Sequence, residues 1–231
     1  MVAAFIQARM ASRRFPGKVL APFRGEPMIA HLLRLMDDVV GREQVTVLTS
    51  THPSDDPLAA YVSGMGTRVF RGPLDDVFER FRQCAGHVSP DWVLRICADS
   101  PLLSPRVVRC AISRIDEVSD LITTTAPRTL PKGQNPELIR RTVLLSTPAS
   151  ELTPADREHV TAYYYRHPDR YRIVNMTSGR PDLAGMNLSV DTPEDLRRLE
   201  AMSAAEIDAL LPSLTAPERF VSVSPSGPEP Q

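Results

Sequence analysis

The sequence is poor in cysteine and has no long apolar run. Three of its 231 residues are cysteines, Cys84, Cys97 and Cys110, which are widely spaced and form no Cys-x-x-Cys pair. We therefore expect reduced, buried, structural cysteines, as in a cytoplasmic protein. No apolar run approaches the ~18 residues that a membrane-spanning helix needs. The five apolar residues before Gln7 are too few for the core of a signal peptide.

The chain also lacks an excess of charge of either sign. Its 27 basic and 28 acidic residues give a formal net charge of −1, so we expect neither nucleic acid nor a membrane as a partner. Any site for a polyanion must then be local. The 42% of hydrophobic and 24% of charged residues are typical of a globular protein. The length suits one large α/β domain or two small ones.

Local positive charge is concentrated in the loop that follows the first apolar run. Residues 2–6 predict a buried strand, and Pro16-Gly17 disfavours helix or regular strand in residues 7–18. This first loop holds four cations: Arg9, Arg13, Arg14 and Lys18. Guanidinium forks and ammonium groups both bind phosphate oxygens. The loop therefore predicts a polyanion site, with a solvated basic loop after an edge strand as the alternative.

Strand and helix patterns alternate through the first half of the chain. Short apolar runs predict strands at residues 2–6, 45–50, 69–70, 92–98 and 121–125. Apolar residues at helical spacing predict helices at residues 27–36, 55–61, 74–85 and 104–115. This order predicts an α/β fold, a single Rossmann-like three-layer domain with a mostly parallel central sheet. Ligands of such sheets bind at the carboxyl ends of the strands, where the first loop and Asp99 lie.

The second half is less regular. Residues 126–136 predict a loop or hairpin. Capping boxes at Thr153 and Thr192 predict helices over residues 153–165 and from 192 onward. We expect strands at residues 171–176 and 187–191, and one more helical stretch at 203–211. These elements would form one domain over residues 1–211, and the Pro/Ser-rich residues 212–231 predict a disordered tail.

Two acids follow predicted strands and could hold a metal ion. Asp99 ends the run at 92–98, and Asp191 ends the run at 187–191. Mg²⁺ prefers one or two carboxylates together with phosphate oxygens. Each acid also has a structural role as an alternative to metal binding. Asp191 could act only as a partner of the following helix dipole. Asp99 could act only in an Asp-Ser-Pro turn.

The residue order in these segments resembles the cytidylyltransferases that make CMP-sugars. The first loop reads Ala8-Arg9-x-x-Ser12-x-Arg14-x-Pro16-Gly17-Lys18 and is not a P-loop. Its Gln-Ala-Arg-Met opening is most similar to the spore coat polysaccharide branch, which is related to the CMP-KDO synthetases and acylneuraminate cytidylyltransferases. Segments 70–72, 95–102, 131–137, 157–161 and 187–196 also match. The sequence departs from the branch at three spacer positions, Ala11, Arg13 and Phe15. Of these, Ala11 could limit how closely the backbone approaches a phosphate.

The resemblance implies a role for each matching residue. The residues expected to bind the nucleotide are Ala8, Arg9, Ser12, Arg14, Lys18, Arg71 and Asp99. Of these, Arg9, Arg14, Lys18 and Asp99 are expected to be catalytic. For Arg71, contact with the acceptor and a solvated turn position are the alternatives. Asp99 and Asp191 are expected to hold Mg²⁺. Glu137, Arg157 and His159 are expected to bind the acceptor, with a structural role as the alternative for Arg157 or His159.

The resemblance also implies the reaction. A nucleoside monophosphate, with CTP favoured as its source, would pass to a sugar, sugar acid or related anionic acceptor with release of pyrophosphate. The implied fold is of the nucleotide-diphospho-sugar transferase type, and a homodimer is expected. GTP or UTP as the nucleotide, and the identity of the acceptor, stay open.

Two other functions remain to be compared. A metal-dependent glycosyltransferase would use a similar domain, but Asp99-Ser100-Pro101 lacks the second acid of an Asp-x-Asp, and the cationic loop suits a leaving pyrophosphate. A non-catalytic nucleotide-sensing or scaffold protein would not require two metal ligands.

Overall fold

A seven-stranded sheet forms the middle layer of the fold. The computed structural model describes residues 1–211. The strands are β1 Val2–Gln7, β2 Pro22–Phe23, β3 Glu26–Pro27, β4 Val45–Ser50, β5 Arg68–Gly72, β6 Trp92–Cys97, β7 Leu121–Thr123, β8 Glu137–Arg140 and β9 Ile173–Asn175. Their order in the main sheet is β5-β4-β1-β6-β8-β7-β9, and β2 and β3 form a separate small hairpin.

Most neighbours in the main sheet are parallel, as predicted. β5, β4, β1 and β6 run in one direction, and β7 is parallel to β9. β8 is antiparallel to both β6 and β7 and lies between them. The sequence did not predict this strand, because it is only four residues long and follows the irregular Pro- and Gly-containing segment. The carboxyl ends of β1, β4, β5 and β6 therefore meet at one edge of the sheet. Because β8 is antiparallel to β6, its first residue, Glu137, lies near the same edge, opposite Arg95.

Helices cover both faces of the sheet. They are α1 Met28–Val40, α2 Asp56–Gly64, α3 Val77–Ala85, α4 Pro105–Ile112, α5 Arg141–Ser146, α6 Pro154–Glu158, α7 Ala162–Arg166, α8 Pro193–Glu200 and α9 Ala204–Ala209. Successive side chains of β1 point to opposite faces: Ala4 and Ile6 join the core beneath α1 and α4, and Ala3 and Phe5 join the core beneath α3 and α7. The predicted three-layer α/β class is confirmed.

The predicted helix at 153–165 is divided in two. The capping box is present, with Asp156 Oδ2 accepting the Thr153 N–H at 2.8 Å. The helix that it opens ends at Glu158, and α7 starts at Ala162. Two β-branched residues, Val160 and Thr161, occupy the break, where their low helix propensity costs least.

The predicted strand at 187–191 is wrong. The segment makes one isolated bridge, between Asn187 and Lys132. The Asn187 side chain then accepts the Ser189 N–H at 2.9 Å and so turns the backbone away from a continuing ladder. The strand predicted at 171–176 is present over Ile173–Asn175.

The remaining predictions concern helices and the end of the chain. The capping box at Thr192 opens α8, and α9 lies within the predicted stretch. In residues 1–211, no helix is both long and apolar enough to cross a membrane. The predicted tail at 212–231 lies outside the described residues.

Candidate active site

The first loop is a folded structure at the carboxyl end of β1. The Ala8 N–H donates to the Leu48 carbonyl at 3.1 Å, and the Gly17 N–H donates to the Met10 carbonyl at 2.9 Å. Gly17 has φ of +74°, a conformation that glycine adopts without strain. The Met10 N–H donates to Asp55 Oδ1 at 2.7 Å, which fixes the loop to the segment after β4.

Asp55 was missed by the sequence analysis and organises this edge of the site. It is buried, and its Oδ2 accepts the Ser50 N–H at 3.0 Å and the Ser50 hydroxyl. Burial alone would raise the pKa of Asp55, but the hydrogen bonds from Ser50 and from the Met10 backbone outweigh it and lower that pKa. Asp55 is therefore an ionised carboxylate that holds the first loop in place. Its only signal in sequence is an acid in the loop after a predicted strand.

Lys18 joins three distant parts of the chain. It follows the turn at Gly17, and its side chain is only 12% exposed. Its Nζ donates to the Val190 carbonyl at 2.6 Å and lies 3.3 Å from Asp99 Oδ2 and 3.3 Å from Asp191 Oδ1. The Val190 N–H in turn donates to the Asp99 carbonyl at 2.7 Å. The predicted loop cation and both predicted metal ligands thus lie together.

Asp191 is surrounded by positive charge. Besides Lys18, its carboxylate contacts Arg14 at 2.9 Å and Lys132 at 2.9 Å. Burial alone would raise the pKa of Asp191, but the hydrogen bond from Lys132 and the charge of Lys18 lower it overall. The group is therefore ionised at neutral pH and able to act as a cation ligand. Lys132 is a second residue that the sequence analysis missed.

The donor set fits Mg²⁺ bound together with a substrate. Asp99 and Asp191 supply two carboxylates that share one ammonium group. Within the described part of the chain, no group of three or more His, Cys, Asp or Glu side chains is arranged to hold a metal ion. Mg²⁺ in phosphate-binding sites commonly takes one or two carboxylates and completes its shell with substrate phosphates and water. The residues present match that pattern.

The other residues expected to bind the nucleotide lie along the same edge. Arg9 pairs with Glu158 at 2.6 Å. Arg71 lies in β5 and donates to the Ser50 carbonyl at 2.8 Å and to Asp56 at 2.6 Å. Ser12 lies in the loop, and its N–H donates to the Met10 carbonyl at 3.0 Å. Both arginines are thus held by acids or backbone, and their role in binding a nucleotide stays a prediction.

Glu137 belongs to a buried polar network beside Asp99. It pairs with Arg95 on the neighbouring strand and accepts a hydrogen bond from the Tyr165 hydroxyl. Burial and the charge of Glu137 raise the pKa of Tyr165 far above its ordinary value, so the phenol keeps its proton. The Arg95 guanidinium also donates to Gln7 Oε1 at 3.0 Å. This network ties β1, β6, β8 and α7 together.

A pocket opens between this network and Asp99. Its wall includes Arg95, Asp99, Lys132, Asn135, Glu137 and Ser189. Arg157 instead pairs with Asp76 and donates to the Ala149 carbonyl at 2.8 Å, and His159 lies half-buried in the break between α6 and α7. Of the three predicted acceptor residues, Glu137 lines the pocket, whereas Arg157 and His159 are not among the described residues that form its wall.

Comparison with known proteins gives a family match over most of the chain. A family model described as "Cytidylyltransferase" matches residues 3–212. The spore coat polysaccharide biosynthesis protein SpsF of Bacillus subtilis (strain 168) is 30% identical over 204 residues, which cover 85% of this chain and 84% of that protein. A 3-deoxy-manno-octulosonate cytidylyltransferase of Anaeromyxobacter sp. (strain Fw109-5) is 26% identical over 241 residues, which cover 88% of this chain and 97% of that protein.

The fold has a close counterpart among solved structures. A cytidylyltransferase from Leptospira borgpetersenii serovar Hardjo-bovis (strain JB197) superposes with a TM-score of 0.81 at 25% sequence identity. The match covers 90% of this chain and 91% of that chain.

Proposed function

We propose, because this chain belongs to the cytidylyltransferase family of nucleotidyltransferases, that it transfers CMP from CTP to an anionic sugar-like acceptor and releases pyrophosphate. The acceptor class is a sugar acid or a related sugar phosphate, and the reaction depends on Mg²⁺. One relative is named as a 3-deoxy-manno-octulosonate cytidylyltransferase, which supports both CTP and a sugar acid as substrates.

One observation carries the proposal: the Lys18 ammonium lies 3.3 Å from both Asp99 and Asp191. A cation that can neutralise the charge of a leaving pyrophosphate is thus adjacent to two carboxylates that can hold a metal ion. Nucleotidyl transfer needs both, because the phosphates repel an incoming nucleophile until their charge is neutralised. A site that only bound a nucleotide would not need two acids next to its phosphate-binding cation.

The proposal gives each of these side chains a role, and this arrangement supports it. Arg9, Ser12, Arg14 and Lys18 hold the triphosphate, and Arg14 and Lys18 neutralise the charge that develops on the departing pyrophosphate. Asp99 and Asp191 hold Mg²⁺, which would supply further neutralisation of phosphate charge. An acceptor oxygen in the pocket beside Asp99 attacks the α-phosphorus in line, and the bond from phosphorus to pyrophosphate breaks as the new bond forms. Where the attacking group is a hydroxyl, its proton passes to solvent. No covalent intermediate with the protein is needed.

The choice of base and the oligomeric state belong to the same proposal. In this proposal, backbone groups of the first loop and of residues 50–56 read the pyrimidine. The hydrogen bonds of Asp55 to both segments support this assignment. Arg71 is held at the same edge by the Ser50 carbonyl. We also propose a homodimer, with residues 126–136 as an element exchanged between the two subunits. Light scattering on the purified protein gives the molar mass and so tests whether a dimer forms.

The test is a product assay with a named acceptor. The protein is incubated with CTP, Mg²⁺ and 3-deoxy-manno-octulosonate, and pyrophosphate release and product mass are measured. A product carrying added CMP, absent with Asp99→Asn, supports the proposal. A panel of other sugar acids and sugar phosphates extends the assay to the acceptor class. Cleavage of a nucleotide sugar to a nucleoside diphosphate, with no pyrophosphate from any triphosphate, would instead indicate a glycosyltransferase.

A further inference from the structure

Lysine is almost absent from this chain, and both of its lysines contact the same carboxylate. Of the 27 basic residues only Lys18 and Lys132 are lysines, and the others are arginines. They lie 114 positions apart in sequence (132 − 18), yet the Nζ of each lies within 3.3 Å of Asp191. An ammonium is a compact charge with three rotatable donors, unlike the planar guanidinium fork. Lysine therefore suits a site where a cation passes from one set of oxygens to another.

The backbone around Lys132 is fixed on both sides. Its N–H donates to the Met186 carbonyl at 2.8 Å, and its carbonyl accepts the Leu188 N–H at 2.7 Å. Gly133 has φ of +94°, and a Cβ there would lie 2.6 Å from the Leu188 carbonyl oxygen. The Lys132 side chain therefore projects from a rigid base into the pocket wall.

The charges that cluster around Asp191 leave one cation in excess. Within residues 1–211, Arg14, Lys18 and Lys132 contact Asp191, and only Asp99 adds a second carboxylate to this group. Three positive charges thus face two negative ones. The other cation of the pocket wall, Arg95, is matched by Glu137. Arg14 and Lys18 approach Asp191 from the first loop and are not among the described residues of the pocket wall. Lys132 is therefore the cation of this cluster that lines the pocket.

We propose that Lys132 binds the anionic group of the acceptor, a carboxylate or a phosphate, and so determines which acceptors are used. This assignment rests on the proposed function, because it takes the pocket beside Asp99 as the acceptor site. Lys132 exchanges Asp191 for the acceptor's anionic oxygens, while Arg14 and Lys18 remain with Asp191 and the nucleotide phosphates. Ser189 and Asn135 in the same wall offer hydrogen bonds to acceptor hydroxyl groups.

Arg157 is the competing cation for this role. Its guanidinium is engaged by Asp76 and by the Ala149 carbonyl, and it would have to leave both to reach the pocket. Lys132 is already in the pocket wall. Comparing the two residues therefore gives a direct test.

Because the chain has only two lysines, the signal of each can be followed by NMR spectroscopy. Reductive methylation with ¹³C keeps the lysine charge and labels only Lys18, Lys132 and the terminal amine, and the Lys132→Arg variant assigns the Lys132 signal. CTP is added first, with EDTA to prevent turnover, and is expected to shift the Lys18 signal. 3-Deoxy-manno-octulosonate, glucose 1-phosphate and inorganic phosphate are then titrated separately. We expect a saturable further shift of Lys132 with at least one of them, and none with the methyl ester of the sugar acid.

Kinetics supply a second measurement. Lys132→Met should raise the KM for the acceptor at least tenfold and change the KM for CTP less than twofold. Lys132→Arg should retain part of the acceptor affinity, and Arg157→Met should leave the acceptor KM within threefold of the wild-type value.

The possible failures can be told apart. No Lys18 shift with CTP would contradict the proposed function. A Lys18 shift with CTP, but no saturable Lys132 shift with any of the three anions, would overturn only the Lys132 assignment. An acceptor KM that rises with Arg157→Met, and not with Lys132→Met, would overturn it as well.

Discussion

The Lys18 ammonium lies 3.3 Å from Asp191 Oδ1, although 173 positions separate the two residues in the chain. The first loop and the segment before α8 thus meet over the carboxyl end of β6, where Asp99 lies between them. The contact joins the residues proposed to hold a leaving pyrophosphate to those proposed to hold a metal ion.

Replacing Lys18 removes the positive charge that is proposed to stabilise the leaving pyrophosphate. Lys18→Met is expected to lower kcat/KM by about 10² to 10³, the range for one preorganised donor at a developing anion. The fold should persist, because Arg14 and Lys132 still contact Asp191. The measurement is steady-state pyrophosphate release.

The matched control is Arg13→Met, which removes an exposed cation of the same loop. It should keep kcat/KM within about threefold, because charges that remain in water are strongly screened. An equal loss in both variants would mean that only the total charge of the loop matters.

Replacing Asp99 tests its charge rather than its shape. Asp99→Asn should lower kcat by roughly 10³-fold, because metal-ion stabilisation of phosphate charge contributes several kcal/mol. The melting temperature should change little, because the Asp99 backbone still accepts the Val190 N–H. Asp182→Asn, at an exposed acid that pairs with Arg180, is the control and should leave kcat unchanged. Full activity of Asp99→Asn in Mg²⁺ would remove Asp99 from the mechanism.

Gly133 tests how the pocket wall is built. Gly133→Ala places a Cβ 2.6 Å from the Leu188 carbonyl oxygen and 2.9 Å from the Ser189 nitrogen. We expect a loss of about 3 kcal/mol in the free energy of unfolding from strain and overpacking, measured by urea denaturation. Gly179→Ala has a similar positive φ with nothing within 4 Å, so it should cost only about 1 kcal/mol. Equal losses would show that the close approach to Leu188 does not matter.

Asp55 predicts a pH dependence of stability. Its folded-state pKa lies below the ordinary value of about 3.9. The unfolded chain therefore binds the proton more readily. The stabilisation is present above about pH 4 and is lost as pH falls through the lowered folded-state pKa.

The variant Asp55→Asn isolates this effect. It leaves donors of Ser50 or Met10 unsatisfied, so the free energy of unfolding should fall by about 3 kcal/mol at pH 7. The difference from the wild type should shrink as the pH is lowered below about 4. Asp56→Asn, at the neighbouring exposed acid, should cost less than about 1 kcal/mol. A difference for Asp55→Asn that stays constant down to pH 2 would contradict the pKa shift.

The sequence predicts the parts of the site whose local patterns are strong. Strand β1 is apolar up to its last residue, and β6 is apolar except for Arg95. The loop after β1, which contains Lys18, and Asp99 after β6 were expected at one edge of the sheet. Their contact through Lys18 Nζ is what the structure adds. The capping boxes at Thr153 and Thr192 were likewise visible, because the backbone N–H and side-chain partners lie within four residues.

Other parts depend on distant contacts. β8 has no strong pattern of its own and forms between β6 and β7. Lys132 lies in an irregular segment, and its position depends on residues 186–188, over fifty positions away. Asn187 ends the expected strand through a side-chain hydrogen bond. Local periodicity in the sequence cannot predict such contacts between distant residues. These contacts determine where Lys132 and Asp191 meet.

The most direct test of the central claim is calorimetric titration with CTP, UTP, GTP and ATP, each with and without Mg²⁺. It needs no knowledge of the acceptor. We predict that CTP binds most tightly, that Mg²⁺ strengthens its binding, and that Asp99→Asn removes the Mg²⁺-dependent part. Tightest binding of another triphosphate would change the nucleotide and keep the mechanism. Binding of nucleotide sugars or nucleoside diphosphates alone, with no triphosphate bound, would contradict the account.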